Sequence, residues 1–229
     1  RCLEQIRNDV CYHNANVKIV AVGGGICYGT HGITHFATED ISIMRALPNM
    51  KVVCPADSLE SGLLTRAAAK AEGPVYLRLG KDAEPAVHQT PPSLQIGKAV
   101  LLREGSDITI IGTGAMVYNA ILASRGLSKN NIGTEVVSMH TIKPIDKDFI
   151  LESARKRKAI FTLEEHSITG GLGGAVAEVL AELKDSKIIF KKIGLPDSFQ
   201  KEIGSQQYLR EKNGLSVDQI IKRIENELK

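Results

Sequence analysis

Tryptophan is absent from the 229 residues, and aromatic residues together make up 4%. Platforms for single-stranded nucleic acid stack bases on aromatic faces, so this scarcity argues against that class. No charge sign dominates: 29 Lys and Arg against 26 Asp and Glu leave a net charge of +3. The longest basic cluster is Arg155-Lys156-Arg157-Lys158. It reads as the solvated end of a helix, where cations oppose the dipole, ahead of a nucleic-acid or membrane patch. No run approaches the ~20 apolar residues of a membrane span, and no secretory leader pattern is visible. Neither a nucleic acid nor a membrane is therefore an expected partner. The four cysteines (Cys2, Cys11, Cys27, Cys54) have neither CxxC pairing nor a zinc spacing. They read as buried free thiols in a reducing compartment, the cytoplasm. The chain also does not open on Met: Arg1 falls within a helical pattern, which predicts that residues precede it.

Hydrophobic residues reach 43%, enough for a sizeable core. Leu3, Ile6, Val10 and Cys11 follow a helical period. Short β-branched runs then alternate with helical ones. "VKIVAV" (17–22) reads as a buried strand, "EDISIMRAL" (39–47) as a helix, and "MKVVC" (50–54) as a strand. Asp57 and Glu60 form a capping-box pattern ahead of a helix, and "VYLRL" (75–79) is the next strand. "AEPAVHQTPPSLQ" (83–95) holds three of the eight prolines without any period, so it reads as a linker. The expected units are 1–82, a partial domain, and 96–229, a second domain. In the second unit "DITIIG", "TEVVSM", "AIFTLEE" and "KIIFKKI" are strands separated by helices, one of them closed by Gly126. A Ser216/Gln219 capping box opens the last helix. The fold class is α/β: two domains with mostly parallel sheets flanked by helices.

In such sheets, ligands meet the loops beyond the carboxyl ends of the strands. The richest is "AVGGGICYGTHGITHFATED" (21–40), with His31 and His35 among glycines and threonines. A metal needs at least three ligands of defined geometry. The residues around these histidines are poor helix formers and the glutamate of an HExxH pattern is missing, so no metal is expected. A phosphate cradle usually ends in a lysine at a helix start, which is missing too. A substrate loop presenting two imidazoles for proton transfer fits better, against histidines merely satisfied by neighbouring carbonyls. Arg78 and Lys81 flank Gly80 at a strand end and suit an anion, although Arg78 also suits an internal carboxylate such as Asp57. "MHTIKPID" (139–146) places His140 and Lys143 in a loop that touches an anion or is merely solvated. "IIGTGAM" (110–116) reads as a tight strand-to-helix turn ahead of an anion site. "LEEHSITGGLGGAV" (163–176) brings Glu164, Glu165, His166, Gly170 and Gly171 together. It holds a metal or phosphate, or it packs against another subunit or domain, which is the favoured reading.

The order of "EQIRNDV", "GTHGITHFATEDISIMRALPNMKVVCPADSLE", "GPVYLRLGKD", "IGTGAMVYNA", "TIKPID" and "LEEHSITGGLGGAVAEVLAE" resembles successive segments of transketolases. The related 1-deoxyxylulose-5-phosphate synthases share that order. The resemblance spans essentially the whole chain and implies part of a pyrimidine-binding domain, then a complete C-terminal domain. It implies a thiamine diphosphate enzyme using Mg²⁺ that transfers a ketol unit between sugar phosphates or related ketoses. It also implies a homodimer. His35 matches an active-site histidine, and Lys81 matches the basic residue that grips substrate phosphate. His31 stands where the family carries an aspartate, and Gly23 where it carries a phosphate-binding histidine, so the substrate-reading groups differ. The family's GDG motif with its asparagine, and its ring-protonating glutamate, do not occur in the sequence. The chain alone is expected to bind no cofactor and to require an upstream or separate N-terminal section. The alternatives are a β-type subunit of a 2-oxo acid dehydrogenase and a non-catalytic anion-binding or assembly module.

Overall fold

The computed structural model describes residues 1–81, 84–184 and 187–229. The expected boundary between the first unit and the linker, at residues 82 and 83, lies outside the described residues. The strands are β1 (Lys18–Val22), β2 (Lys51–Val53), β3 (Val75–Leu79), β4 (Val100–Arg103), β5 (Ile108–Gly112), β6 (Thr134–Ser138), β7 (Thr141–Lys143), β8 (Ala159–Ser167) and β9 (Ile189–Leu195). The helices are α1 (Leu3–Gln5, continued by π-helical turns over Ile6–Tyr12), α2 (Asp40–Ala46), α3 (Ser58–Lys70), α4 (Met116–Ser128), α5 (Lys147–Lys156), α6 (Leu172–Leu180), α7 (Gln206–Lys212) and α8 (Val217–Glu227).

Two sheets form, in the orders β1-β3-β2-β7 and β4-β6-β5-β8-β9. All pairings are parallel except β2–β7 and β4–β6. Parallel neighbours cannot be joined by a tight turn, and the helices between β2 and β3, β5 and β6, and β8 and β9 provide the crossovers. β5, β6 and β8 are buried along their whole length, as inner strands of a sheet covered on both faces are, and β6 and β8 carry buried polar residues, Glu135, Glu164, Glu165 and His166 among them.

Polar side chains set the helix starts. Asp57 accepts from the Glu60 amide at 2.9 Å, and Glu60 reaches back to the Ala56 amide at 2.8 Å. Asp146 caps α5 by accepting from the Phe149 amide. The expected Ser216/Gln219 capping box is present at α8.

Four local expectations are corrected. "VKIVAV" is not wholly buried: β1 is a sheet edge, with Val20 54% and Val22 56% exposed. Gly126 does not close α4, which runs on to Ser128; a Cβ there would meet Ile221 of α8 at 2.3 Å, so the glycine admits a close helix crossing. Residues 141–143 are a strand, and it joins the first sheet rather than the second. Lys143 is neither solvated nor aimed at an anion; its ammonium donates to the Arg45 and Leu47 carbonyls at the end of α2.

The first sheet is covered on one face by α3, where Leu64 and Ala68 pack on Val53, Val75 and Leu77. A second core crosses the two halves: Ile41, Met50, Val52 and Tyr76 pack with Ile111, Ile142, Leu172 and Val176. The loop after β1 also enters the second half, where Ile26 is fully buried among Ile110, Phe161 and Leu209. The stretch read as a linker is tied down as well. Asp57 accepts from the amides of Val87 and His88, and the His88 ring meets Glu60 at 3.0 Å. That bond to Glu60 is the main reason the His88 pKa is raised.

Candidate active site

Backbone conformation builds the loop that follows β1. The Gly23 and Gly24 amides donate to the Leu79 carbonyl at 3.1 and 3.0 Å, extending the β1–β3 pairing. Gly25 and Ala37 then exchange bonds of 2.9 Å in both directions, closing the loop at its neck. Within it, single 3-10 turns at Gly29–His31 and Ile33–His35 are separated by Gly32, whose φ of 77° suits glycine. The two imidazoles thus face each other without a continuous helix. Their centroids lie 5.0 Å apart.

Tyr28 completes the group. Its ring meets His31 edge-on at 5.7 Å and His35 at 6.4 Å. The Lys81 ammonium stands 5.7 Å from the Tyr28 ring centroid, within the range of a cation–π contact. Each imidazole Nδ1 lies near the hydroxyl of the preceding threonine, at 3.4 Å for His31 and 3.1 Å for His35. Both histidines are exposed. His31, His35 and Lys81 therefore gather at one surface. Gly23 takes part only through its lack of a side chain: a Cβ there would strike the Tyr28 ring at 2.4 Å. Sequence reasoning missed Tyr28, although it is the one aromatic between the glycine triplet and the histidines.

Arg78 lies under the loop and points inward. Its Nε donates to Asp40 at 2.8 Å, and its Nη2 donates to the carbonyls of Ala37 and Glu165 at 2.8 and 3.1 Å. The internal carboxylate is Asp40 and not Asp57, which is committed to capping α3. At 7% exposure Arg78 is a support beneath the loop, which corrects its reading as a substrate contact. Tyr76 also donates to Asp40, at 2.7 Å. Burial alone would raise the Asp40 pKa, but Arg78 and Tyr76 outweigh it and hold the carboxyl below its usual range.

The "EEH" group divides by role. Glu164 accepts from the Leu172 and Gly173 amides at 2.6 and 2.8 Å. Its carboxylate thus occupies the α6 N-terminus, where a phosphate was one reading. Gly171 makes this possible, since a Cβ would meet Glu164 Oε2 at 2.0 Å. Burial pushes the Glu164 carboxyl up to about 7. His166, Glu165 and Gly170 instead face the first half of the same chain. His166 Nδ1 donates to the Ser167 carbonyl at 2.7 Å, and its Nε2 accepts from the Ser42 amide at 3.4 Å. Those partners fix a neutral tautomer, and burial, aided by Arg78, lowers its pKa. Gly170 lets Ser42 approach, and Glu165 accepts from the Ile26 amide at 2.9 Å.

Comparison with known proteins gives the family of the chain. The family model for the transketolase C-terminal domain matches residues 97–220, and that for the transketolase pyrimidine-binding domain matches residues 1–85. The chain belongs to the transketolase family. This transketolase-family chain is 40% identical over 222 residues to the 6-deoxy-6-sulfo-D-fructose transketolase subunit SqwH of Clostridium sp. (strain MSTE9), covering 97% of this chain and 68% of that protein. It is 39% identical over 198 residues to one of the subunits of the apulose-4-phosphate transketolase of Phocaeicola vulgatus, covering 86% of this chain and 62% of that protein. A solved split-gene transketolase, described as an inactive beta4 tetramer, superposes with a TM-score of 0.91 at 41% identity. That match covers all of this chain and 72% of the other.

Family membership implies thiamine diphosphate in the assembled enzyme. Among the described residues, however, no group of three or more His, Cys, Asp or Glu side chains could hold a metal ion. Among the same residues, no helix is long and apolar enough to cross a membrane.

Proposed function

We propose that this chain is the C-terminal section of a transketolase-like enzyme that presents the substrate-facing surface for ketol transfer between anionic ketoses such as sugar phosphates. The observation that carries the reading is the convergence of His31, His35 and Tyr28 with the Lys81 ammonium. His35, with His31 beside it, moves protons to and from the hydroxyls of the substrate, since imidazole titrates near neutrality. Lys81 attracts the anionic end of the sugar as a point charge, without the fork of an arginine. The named substrates of the two relatives carry a sulfonate and a phosphate, which supports an anionic ketose. His31 offers a ring nitrogen where an aspartate would offer only acceptors, so the hydroxyl pattern read there differs.

Seats for the diphosphate and its metal would come from a separate or upstream N-terminal section. The inactive state named for the split-gene relative supports that requirement. We propose a homodimer of such pairs. Four free cysteines support a cytoplasmic setting. The test combines this chain with its N-terminal section, thiamine diphosphate and Mg²⁺, and follows ketol transfer from ketose phosphates and sulfonates to an aldose phosphate. Transfer is expected only with both sections present. His35→Ala should lower kcat/KM about 10²-fold or more. A change within about threefold, under ~1 kcal/mol of transition-state stabilisation, would remove His35 from the reaction.

A further inference from the structure

The histidine loop belongs to the first half in sequence, yet the second half holds it. Glu165, on β8 and 4% exposed, is the centre of that hold. Its Oε1 accepts from the Ile26 amide at 2.9 Å and from Gln206 Nε2 at 2.8 Å. Its Oε2 accepts from Gln206 Nε2 at 3.1 Å and from Arg210 Nε. Both of these donors sit on α7, whose register against the carboxylate is therefore fixed. Gly25 admits the carboxylate, since a Cβ there would meet Glu165 Oε1 at 2.5 Å. Further along, the Gly204 amide donates to the Gly29 carbonyl at 3.1 Å, and a Cβ on Gly29 would strike the Gly204 carbonyl at 2.3 Å. Gly29 opens the turn that carries His31. Lys81, by contrast, follows β3 and lies outside this seat.

We infer that Glu165 is a positioning residue for His31 and His35, acting through the Ile26 amide while Gln206 and Arg210 clamp its carboxylate. The inference rests on the proposed role of the histidine loop. Its geometric half can be read without any reaction. Glu165→Gln keeps the shape of the side chain, but it turns an amide NH₂ toward donors that need an acceptor. In the full chain, backbone hydrogen exchange over 26–35 should quicken at least 10-fold, with α3, α5 and β9 unchanged. In the assembled enzyme, kcat should fall at least 10-fold while KM for the anionic ketose stays within threefold, because Lys81 is undisturbed. Gln206→Ala, which removes one donor and leaves the carboxylate in place, should move both readouts the same way to a smaller extent. It also serves if Glu165→Gln does not fold.

Unchanged exchange over 26–35 overturns the inference. So does quickened exchange with kcat within threefold, or a KM that rises in step with the fall in kcat, or exchange that quickens throughout the chain in both variants. If the unaltered assembly shows no ketol transfer, the proposed function fails. The exchange comparison then still decides whether Glu165 seats the loop.

Discussion

The two faces of the loop after β1 make opposite use of the same kinds of residue. Above it, His31 and His35 are exposed, Tyr28 is half-buried, and Lys81 stands over the tyrosine ring. Below it, Arg78, Glu165 and His166 are 7%, 4% and 0% exposed, and each has named partners. A buried charge is tolerable only when paired, so the lower layer is committed to holding the fold. The upper layer carries the groups proposed to meet the substrate. A thin layer of glycine backbone separates them: Gly24 lies against the Arg78 guanidinium, and Gly23 against Tyr28.

That contrast can be broken most forcefully from below. Arg78→Met would leave Asp40 and the Ala37 and Glu165 carbonyls without their cation. Removing one partner of a buried pair costs about 3–5 kcal/mol, which urea unfolding should register. Gly24→Ala attacks the layer between. Its Cβ would come within 2.9 Å of a guanidinium that cannot retreat, and overpacking of this kind costs about 1–3 kcal/mol in the same assay.

A third test uses pH. The folded Glu164 carboxyl keeps its proton to a higher pH than the unfolded one, because burial raises its pKa from 4.5 to about 7. Within that window the native state binds more protons, so this group's contribution to stability declines as pH rises. The slope is at most about 1.4 kcal/mol per pH unit. Subtracting the profile of Glu164→Gln from that of the unaltered chain should isolate this decline from the opposing titrations of His166 and His140, which burial keeps neutral. A flat difference would mean that Glu164 is ionised throughout. The smallest effect belongs above the loop. His31→Ala and His35→Ala should each shift unfolding by no more than about 0.5 kcal/mol, as exposed side chains do. A larger loss would make the ring cluster structural and erase the distinction.

The contrast also separates what the sequence discloses from what it hides. β3 occupies the predicted residues 75–79, because five residues bounded by turn signals leave no alternative. The clustering of the loop histidines with Lys81 was legible because polar groups gather where parallel strands end. The partner of Arg78 was not: Asp40 and Asp57 are both acids in first-turn contexts, and only the seating of α2 against β3 selects the former. β7 has three residues, too few for any period, and it pairs with a strand from the other half. α7, "QQYLREK", buries only Leu209, so no apolar stripe announces it. Local pattern records an element's own burial, not which distant groups it will meet.

β7 has a consequence for how this protein can be divided. It lies antiparallel to β2, with Val53 opposite Thr141, so the last strand of the first sheet is supplied from far along the chain. A cut at the proline-rich segment would not yield two self-sufficient pieces. The first would present the bare rim of β2 to any passing strand, the usual route to aggregation. The second would carry three residues with no sheet to join. Evolution or engineering could exchange whole copies of this chain between assemblies more readily than it could exchange its halves.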